Sequence, residues 1–512
     1  MVATFLLLLA GDISAWSLKA SAKLPSPEKI VRDYLKAIGG QKRVAAVKDA
    51  TYEYAVIGDG AESTATRVQM KSPGSLRTDS FTQGGEVNRA ASPRSAWTRD
   101  ANGDLRTLTD AAAQSAKLQA ALEASNLLDF KKRSVLARTV MLDFSSGEGA
   151  YVVEFSTREG ARLRYWFGAT SKLILKLADL RQETETTFAD YKAREGIVEP
   201  HRVSISLSSK EPPSVFQLRN AHYNTGLPDS IFDPPSDQAI NIPQLLRDVS
   251  KNQKELDERI SEYTYSRKQV EREINDRGEL KREKVIVHEI YPLLGGGRVL
   301  KLISEDGAAL STEKTEKEEK RVAEELAKGE RDYQKKQQEK RERAKRKSNE
   351  SGMGKDGDDD FEGVSAFLRV CEFVSPRREL FRGRQTIVFD FRPKASYKPR
   401  NREETLISKL IGVAWIDPED QQVMRMEARL ADGFKVGGGL LASVRSGSAF
   451  VFEQARMADG VWLPRFSQIN ASVKVLLFAG IKLDATREYS DYKKFNVQTG
   501  EASVQAEKEL KP

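Results

Sequence analysis

The chain has 512 residues, 39% hydrophobic and 31% charged, so it is long enough for roughly two to four domains and too apolar for general disorder. A net charge of +8 over this length leaves any basic partner surface local and speaks against a dedicated nucleic-acid binder. One cysteine, Cys371, excludes an intramolecular disulfide and a cysteine-rich metal site, and three histidines (His201, His222, His288) leave little for histidine-based metal chemistry, so no cofactor or metal is expected.

Val2 to Ala10 is apolar but too short to span a bilayer, which suits the core of a secretory leader. Ala20-Ser21-Ala22 is the better of two cleavage patterns and predicts a signal peptide over 1–22, although no Lys or Arg precedes the apolar run. A buried first helix is the competing reading. Ser26-Pro27-Glu28 supplies a cap, a proline in the first turn and an acid, and Ile30, Val31, Tyr34, Leu35 and Ile38 recur at helical spacing until Gly39-Gly40. From Ala50 the pattern alternates with period two through many short runs separated by Gly, Pro, Asn and Asp, which predicts an antiparallel sheet. Asp110 to Leu128 interrupts it as one Ala- and Leu-rich helix with Leu118 and Leu122 a turn apart.

The order then recurs. A helix from Pro243 carries Leu246, Val249, Leu256, Ile260 and Tyr263 as a stripe, and β-type runs follow on both sides of a long polar helix. The clearest echo pairs Gly196 and Pro200 with Gly460 and Pro464, each glycine four residues before its proline between two strands, as a turn followed by an edge proline. An internal duplication is expected, with Phe232-Asp233-Pro234-Pro235 opening the linker; two unrelated β-rich halves are the alternative. The domain reading is signal peptide 1–22, a first half-barrel 23–236, a second half-barrel 237–497 carrying an insert at 313–363, and a tail at 498–512.

Within the insert, Glu313 to Lys347 is acid-rich first and basic last, with opposite charges four apart, and reads as a solvated helix. Its basic end, Lys335 to Lys347, is a candidate contact for an anionic membrane surface, and nucleic acid is not expected because aromatics are not interleaved. Asp356, Asp358 and Asp360 fail as a calcium loop because Phe361 and Phe367 stand where glycine and glutamate are required. His288-Glu289 lacks the second histidine of a zinc protease, the glycine runs lead to no phosphate loop, and Cys371 has no evident base, so an enzyme is not expected.

The Lys71-x-Pro73 turn, the turn around Trp97 and the closing Phe232-x-Pro234-Pro235, after the opening helix at Tyr34-Leu35, are similar to motifs of the LolA/LolB-like periplasmic carriers of outer-membrane lipoprotein sorting. The resemblance covers about residues 27 to 240. It implies an α+β fold: two tandem incomplete antiparallel barrels, each with helices over its concave face. The arginine that precedes the proline in that family falls on Ser72 here, and the Asp-Gly of the Trp turn reads Pro93-Arg94. The resemblance further implies an exported, periplasmic protein with lipid or lipoprotein acyl chains as partners. A sheet with one apolar face and only short helices over it can leave a cavity, and Tyr34, Trp97, Leu118, Leu122, Trp166, Leu256, Ile260, Trp415 and Trp462 are the candidates for its lining, each equally of the type that fills plain core. The alternative function is a non-enzymatic interaction or regulatory module that binds protein through the duplicated half-barrels.

Overall fold

A computed structural model describes residues 24–494 apart from segments 59–60, 83, 146, 208–211, 261, 276–278, 294–296, 348–361, 432, 437–441, 445–446 and 476–480. The expected leader, the acidic loop with Asp356, Asp358 and Asp360, and the tail therefore lie outside the described residues.

Helix α1 (Pro27–Ala37) starts as its sequence dictates: the Ser26 side chain accepts from the Lys29 amide at 3.3 Å, and the stripe Ile30, Val31, Tyr34 and Leu35 is buried. A short α2 (Gln41–Ala46) follows. The first sheet opens with β1 (Asp49–Gly58), β2 (Ala61–Lys71), β3 (Ser75–Thr82), β4 (Gly85–Ala91), β5 (Ala96–Arg99) and β6 (Leu105–Thr107). After α3 (Asp110–Glu123) come β7 (Leu136–Asp143), β8 (Ala150–Ser156), β9 (Arg162–Gly168) and β10 (Ile174–Asp179). It ends with β11 (Thr184–Arg194), β12 (Ile197–Ser206) and β13 (Ser214–Tyr223). The strands run β6-β5-β4-β3-β2-β1-β13-β12-β11-β10-β9-β8-β7, so the first strand pairs with the last and the sheet stays open at β6 and β7. Helices α1 and α3 fill the concave face over β8 to β10, where Leu35, Leu118, Leu122, Phe155, Tyr165 and Phe167 form one buried cluster.

The second half uses the same plan. Helix α4 (Ile242–Ile260) precedes β14 (Tyr263–Ile274), β15 (Leu280–Pro292), β16 (Arg298–Glu305) and β17 (Ala308–Ala309). Then come α5 (Thr312–Lys347), α6 (Glu362–Val370), β18 (Cys371–Phe381), β19 (Arg384–Pro393) and α7 (Arg402–Ile407). The remaining strands are β20 (Leu410–Asp417), β21 (Gln422–Leu430), β22 (Phe434–Val436), β23 (Ala442–Val444), β24 (Ala449–Arg456), β25 (Trp462–Val475) and β26 (Ile481–Lys494). Their order is β17-β16-β15-β14-β26-β25-β24-β21-β20-β19-β18, with β22 and β23 set off beside β25. Here too the first strand pairs with the last, and among the described residues neither sheet closes. Leu246 and Val249 of α4 pack on Ile387, Phe389 and Ile416.

Three details differ from the sequence reading or sharpen it. Tyr263 opens β14 instead of closing the α4 stripe. Pro200 and Pro464 lie in inner strands and pair on one side with Tyr191 and Gln454, yet the β12–β13 ladder is registered only from Arg202 and the β25–β26 ladder only from Phe466, so each proline is unpaired on its other side. The glycine turns before them have φ +76° at Gly196 and +84° at Gly460, and they join topologically matching hairpins, β11–β12 and β24–β25. Finally, α5 is charged and largely exposed as expected, but it is docked near its start. Val322 is buried, the Leu302 amide donates to Glu318 at 2.7 Å, and Arg321 holds both Glu318 and the Leu300 carbonyl.

The linker returns along the convex face of the first sheet. Lys71 donates to the Leu227 carbonyl at 2.7 Å, Arg77 to Ile231 at 2.7 Å and Trp97 Nε1 to Phe232 at 2.9 Å. This brings β18 beside β6, where Arg377 donates to Thr107, Glu379 and Asp390 within 2.6–3.0 Å. Ser95 donates to Asp390 at 2.5 Å, and the Thr107 amide to Glu379 at 2.6 Å. The halves thus meet through buried, mutually satisfied charge.

Candidate functional site

Residues that pair across strands share a face, so the ladders sort the first sheet into a concave and a convex side. Tyr52 pairs with Val68 and Ala221, Tyr54 with Thr66 and Leu218, and Val56 with Phe216, which pairs in turn with Val203 and through it with Phe188. Phe188 packs against the α1–α3 cluster, which fixes this side as concave. Over β8 to β10 the concave side is closed by the helices. Over β1, β2, β11, β12 and β13 it is not: Tyr52, Tyr54, Val56, Val68, Phe188, Val203, Ile205 and Phe216 are each only half-buried. Several residues between them on the convex side, Arg67, Asn220, Arg202 and Thr187, are exposed and polar. The strands therefore alternate as a one-sided sheet should, but the apolar side is a trough with a partly open floor.

Tyrosines dominate its helix-proximal end. The Tyr52 ring lies 6.4 Å from Tyr54 and 6.3 Å from Tyr223, and Tyr34 of α1 stands edge-on to Phe167 at 5.7 Å. The Tyr223 hydroxyl donates to Glu199 at 2.5 Å, and Tyr191 donates to the Ile174 carbonyl at 2.6 Å. Burial holds Tyr34, Tyr52, Tyr54 and Tyr165 well above the usual phenol range. Glu123, at the end of α3, is pushed up to about 7, chiefly by desolvation, against one hydrogen bond from Gln119 at 2.8 Å. Burial also raises Glu199.

Of the residues nominated from sequence, Tyr34, Leu118 and Leu122 come together in the first-half core, with Tyr34 bordering the tyrosine group. Trp97 lies on the convex side under the linker, and Arg77 stands 5.8 Å from its ring. Trp166 is convex as well, donating to Asp143 at 2.7 Å beneath Lys176. Trp415 and Trp462 pack together in the second half, Trp462 donating to Asp420 at 2.9 Å. The side chains of Leu256 and Ile260 lie outside the described residues. Sequence reasoning missed Tyr52, Tyr54, Glu123, Val203 and Phe216. The Tyr-x-Tyr alternation of β1, and an acid next to the Leu118–Leu122 stripe, were the available signals.

Cys371 and His288, the sulfur and one of the imidazoles singled out from the sequence, are both shielded from solvent to different degrees. Cys371 is buried and its thiol is pushed up to about 12 by desolvation, while His288, half-buried beside Arg267, is lowered by burial. Among the described residues no cluster of His, Cys, Asp and Glu has the grouping of a metal site. Among them, too, no helix is long and apolar enough to cross a membrane.

No family model matches the sequence, and no curated protein matches it. Solved structures similar to part of the fold include a LolA superfamily protein from Nitrosomonas europaea, 14% identical, covering 41% of this chain and 99% of its own, with TM-score 0.31. A DUF1329 family protein from Desulfovibrio piger is 14% identical over 40% of this chain and 96% of its own, with TM-score 0.29. An outer membrane lipoprotein-sorting protein domain, described as putative, from Vibrio parahaemolyticus is 13% identical over 40% and 96%, with TM-score 0.28.

Proposed function

We propose that this chain is an exported, non-enzymatic carrier whose first half binds the apolar chain of a lipid or lipoprotein in the concave trough, and that its two halves descend from one duplicated half-barrel. The observation that carries the binding reading is the half-buried apolar floor formed by Tyr52, Val56, Val68, Val203 and Phe216 opposite an exposed polar convex side. Apolar surface left open inside a concave sheet gains about 25 cal/mol per Å² when an apolar chain covers it. The matched topology of the sheets, and the Tyr-x-Tyr of β1 repeated as Tyr263 and Tyr265 at the start of β14, support duplication. The basic end of α5 gives the carrier an electrostatic approach to anionic membranes.

Native mass spectrometry of the full chain purified under non-denaturing conditions tests the reading. Adducts of lipid mass are expected on the wild type and should be lost in F216E. A wild-type spectrum that stays lipid-free after incubation with long-chain fatty acid would favour the protein-binding module instead.

A further inference from the structure

The matching tyrosine pairs of β1 and β14 lead into different floors. Two residues past Tyr54 the first half has Val56, whereas two past Tyr265 the second has Arg267. Gln269 pairs with Arg487, Arg487 with Ser467, Ser467 with Phe452, Phe452 with Met426 and Met426 with Ala414, which packs under α4. Gln269 and Arg487 therefore lie on the face that α4 covers, the concave one. Arg267 shares it, two residues before Gln269, and pairs with His288 on one side and Tyr489 on the other. Arg298 lies on it as well, donating to the Tyr265 hydroxyl at 2.9 Å, and the Tyr265 and Tyr489 rings are 6.0 Å apart. Arg267, His288, Arg487 and Tyr489 are half-buried, so solvent reaches this floor. Among the described residues the side-chain partners of the three arginines are all neutral. Arg267 stands 3.5 Å from His288 Nδ1 and its buried Nε has no partner, Arg487 donates to Gln269 at 2.8 Å, and Arg298 has Tyr265. The nearby acids are engaged elsewhere: Glu271 accepts from Gln269 at 2.5 Å, Glu305 is 3.0 Å from Lys284, and Glu318 is 2.6 Å from Arg321. Burial, and after it Arg487, lowers Arg267. Like charges gathered on a partly desolvated face with a donor unanswered are costly, and an anion removes that cost.

We infer that the concave face of the second half binds the phosphate group of an anionic amphiphile between Arg267 and Arg487, with the apolar chain along Ile286, Leu300 and Leu302. This is a second site, on the other sheet, and it does not rest on the first-half trough. Arg267 and Arg487 are diagonal neighbours across β14 and β26, about 7–8 Å apart at the backbone, a span that two long side chains close onto one group. One guanidinium fork saturates a carboxylate, whereas a phosphate has oxygens for both arginines, and a neutral or cationic head group answers neither. Ile286 pairs with Gln269, Leu302 with His288 and Leu300 with Ile290, so half-buried apolar side chains adjoin the arginines on the same face.

Dodecyl phosphate, dodecanol and inorganic phosphate, titrated calorimetrically into the full chain at neutral pH and low salt, with both amphiphiles below their aggregation concentrations, test the site. Dodecyl phosphate is expected to bind at least about tenfold more tightly than either of the others, because head group and chain both contribute. R267Q/R487Q should abolish the preference over dodecanol with a thermal midpoint within about 2 °C of wild type, since neither guanidinium leaves a charged partner behind. R267Q alone should lower the preference several-fold, a check that stands even where the double variant does not fold. F216E, directed at the first-half trough, should keep the preference. Equal binding of dodecyl phosphate and dodecanol, or a preference that survives R267Q/R487Q, would overturn the inference. A preference lost in F216E and kept in R267Q/R487Q would overturn it too, while leaving the first-half reading standing. Inorganic phosphate binding as tightly as dodecyl phosphate would overturn the amphiphile in favour of free phosphate.

Discussion

Replacing Arg377 with methionine should uncouple the two halves. The guanidinium is almost fully buried and donates to Glu379 at 2.7 Å, Asp390 at 3.0 Å, Thr107 at 2.6 Å and the Ser375 carbonyl at 2.7 Å. Without it Glu379 and Asp390 remain buried, Glu379 keeping Thr107 and Asp390 keeping Ser95 and a distant Arg94 at 3.9 Å. Breaking a buried ion pair from one side costs about 3–5 kcal/mol, since the surviving charge stays desolvated. For domains of about 200 residues that corresponds to a midpoint fall of roughly 6–20 °C. Because Thr107 and Ser95 belong to the first half and Arg377, Glu379 and Asp390 to the second, the loss falls on their junction. Differential scanning calorimetry should show the variant unfolding earlier and in two separated steps. R377M/E379M should recover part of the loss, because fewer unpaired charges remain. A midpoint within about 2 °C of wild type, or a double variant worse than the single one, would refute the claim that this network joins the halves.

Three further outcomes follow from individual sites. Glu123 has its folded pKa raised from 4.5 to about 7, so the fold binds more protons than the unfolded chain in that window, and stability should fall as pH rises through it, by at most about 3 kcal/mol. E123Q should reduce that slope in urea unfolding at pH 5 and pH 8 without abolishing it, because Asp484, raised to about 6 by burial, acts in the same direction. Removing α5 from Glu330 to Lys347, whose described side chains up to Glu339 are mostly exposed, should leave thermal stability nearly unchanged, whereas V322D, which buries an unpaired acid against β16, should lower it by about 2–4 kcal/mol in urea unfolding. Cys371 should resist a thiol reagent in the native state and react on unfolding; fast native labelling would contradict its burial.

Much of the architecture is legible in the sequence because local signals agree with tertiary ones. Ser26, Pro27 and the Ile30–Leu35 stripe specify α1 by capping and period alone, and the Gly–Pro echo marks matching hairpins through turn chemistry that no packing overrides. The site is less legible. Tryptophans attract attention as large amphipathic groups, yet Trp97 and Trp166 lie on the convex side, because a face is set by strand register and a one-residue difference inverts it. The trough depends on which part of a thirteen-stranded sheet the helices reach, a long-range property with no local signature. The docking of α5 rests on one apolar residue, Val322, among charges, and on backbone groups of β16 that composition does not reveal.

The trough itself is tested most directly by titrating saturated fatty acids of ten to sixteen carbons into the full chain and into V203E and F216E. Each added CH₂ that enters the trough should tighten binding by about fourfold, corresponding to about 0.8 kcal/mol, until the trough is full, and both charged variants should lose that gain. Affinities that do not change with chain length, or that are the same in V203E and F216E as in the wild type, would contradict the account.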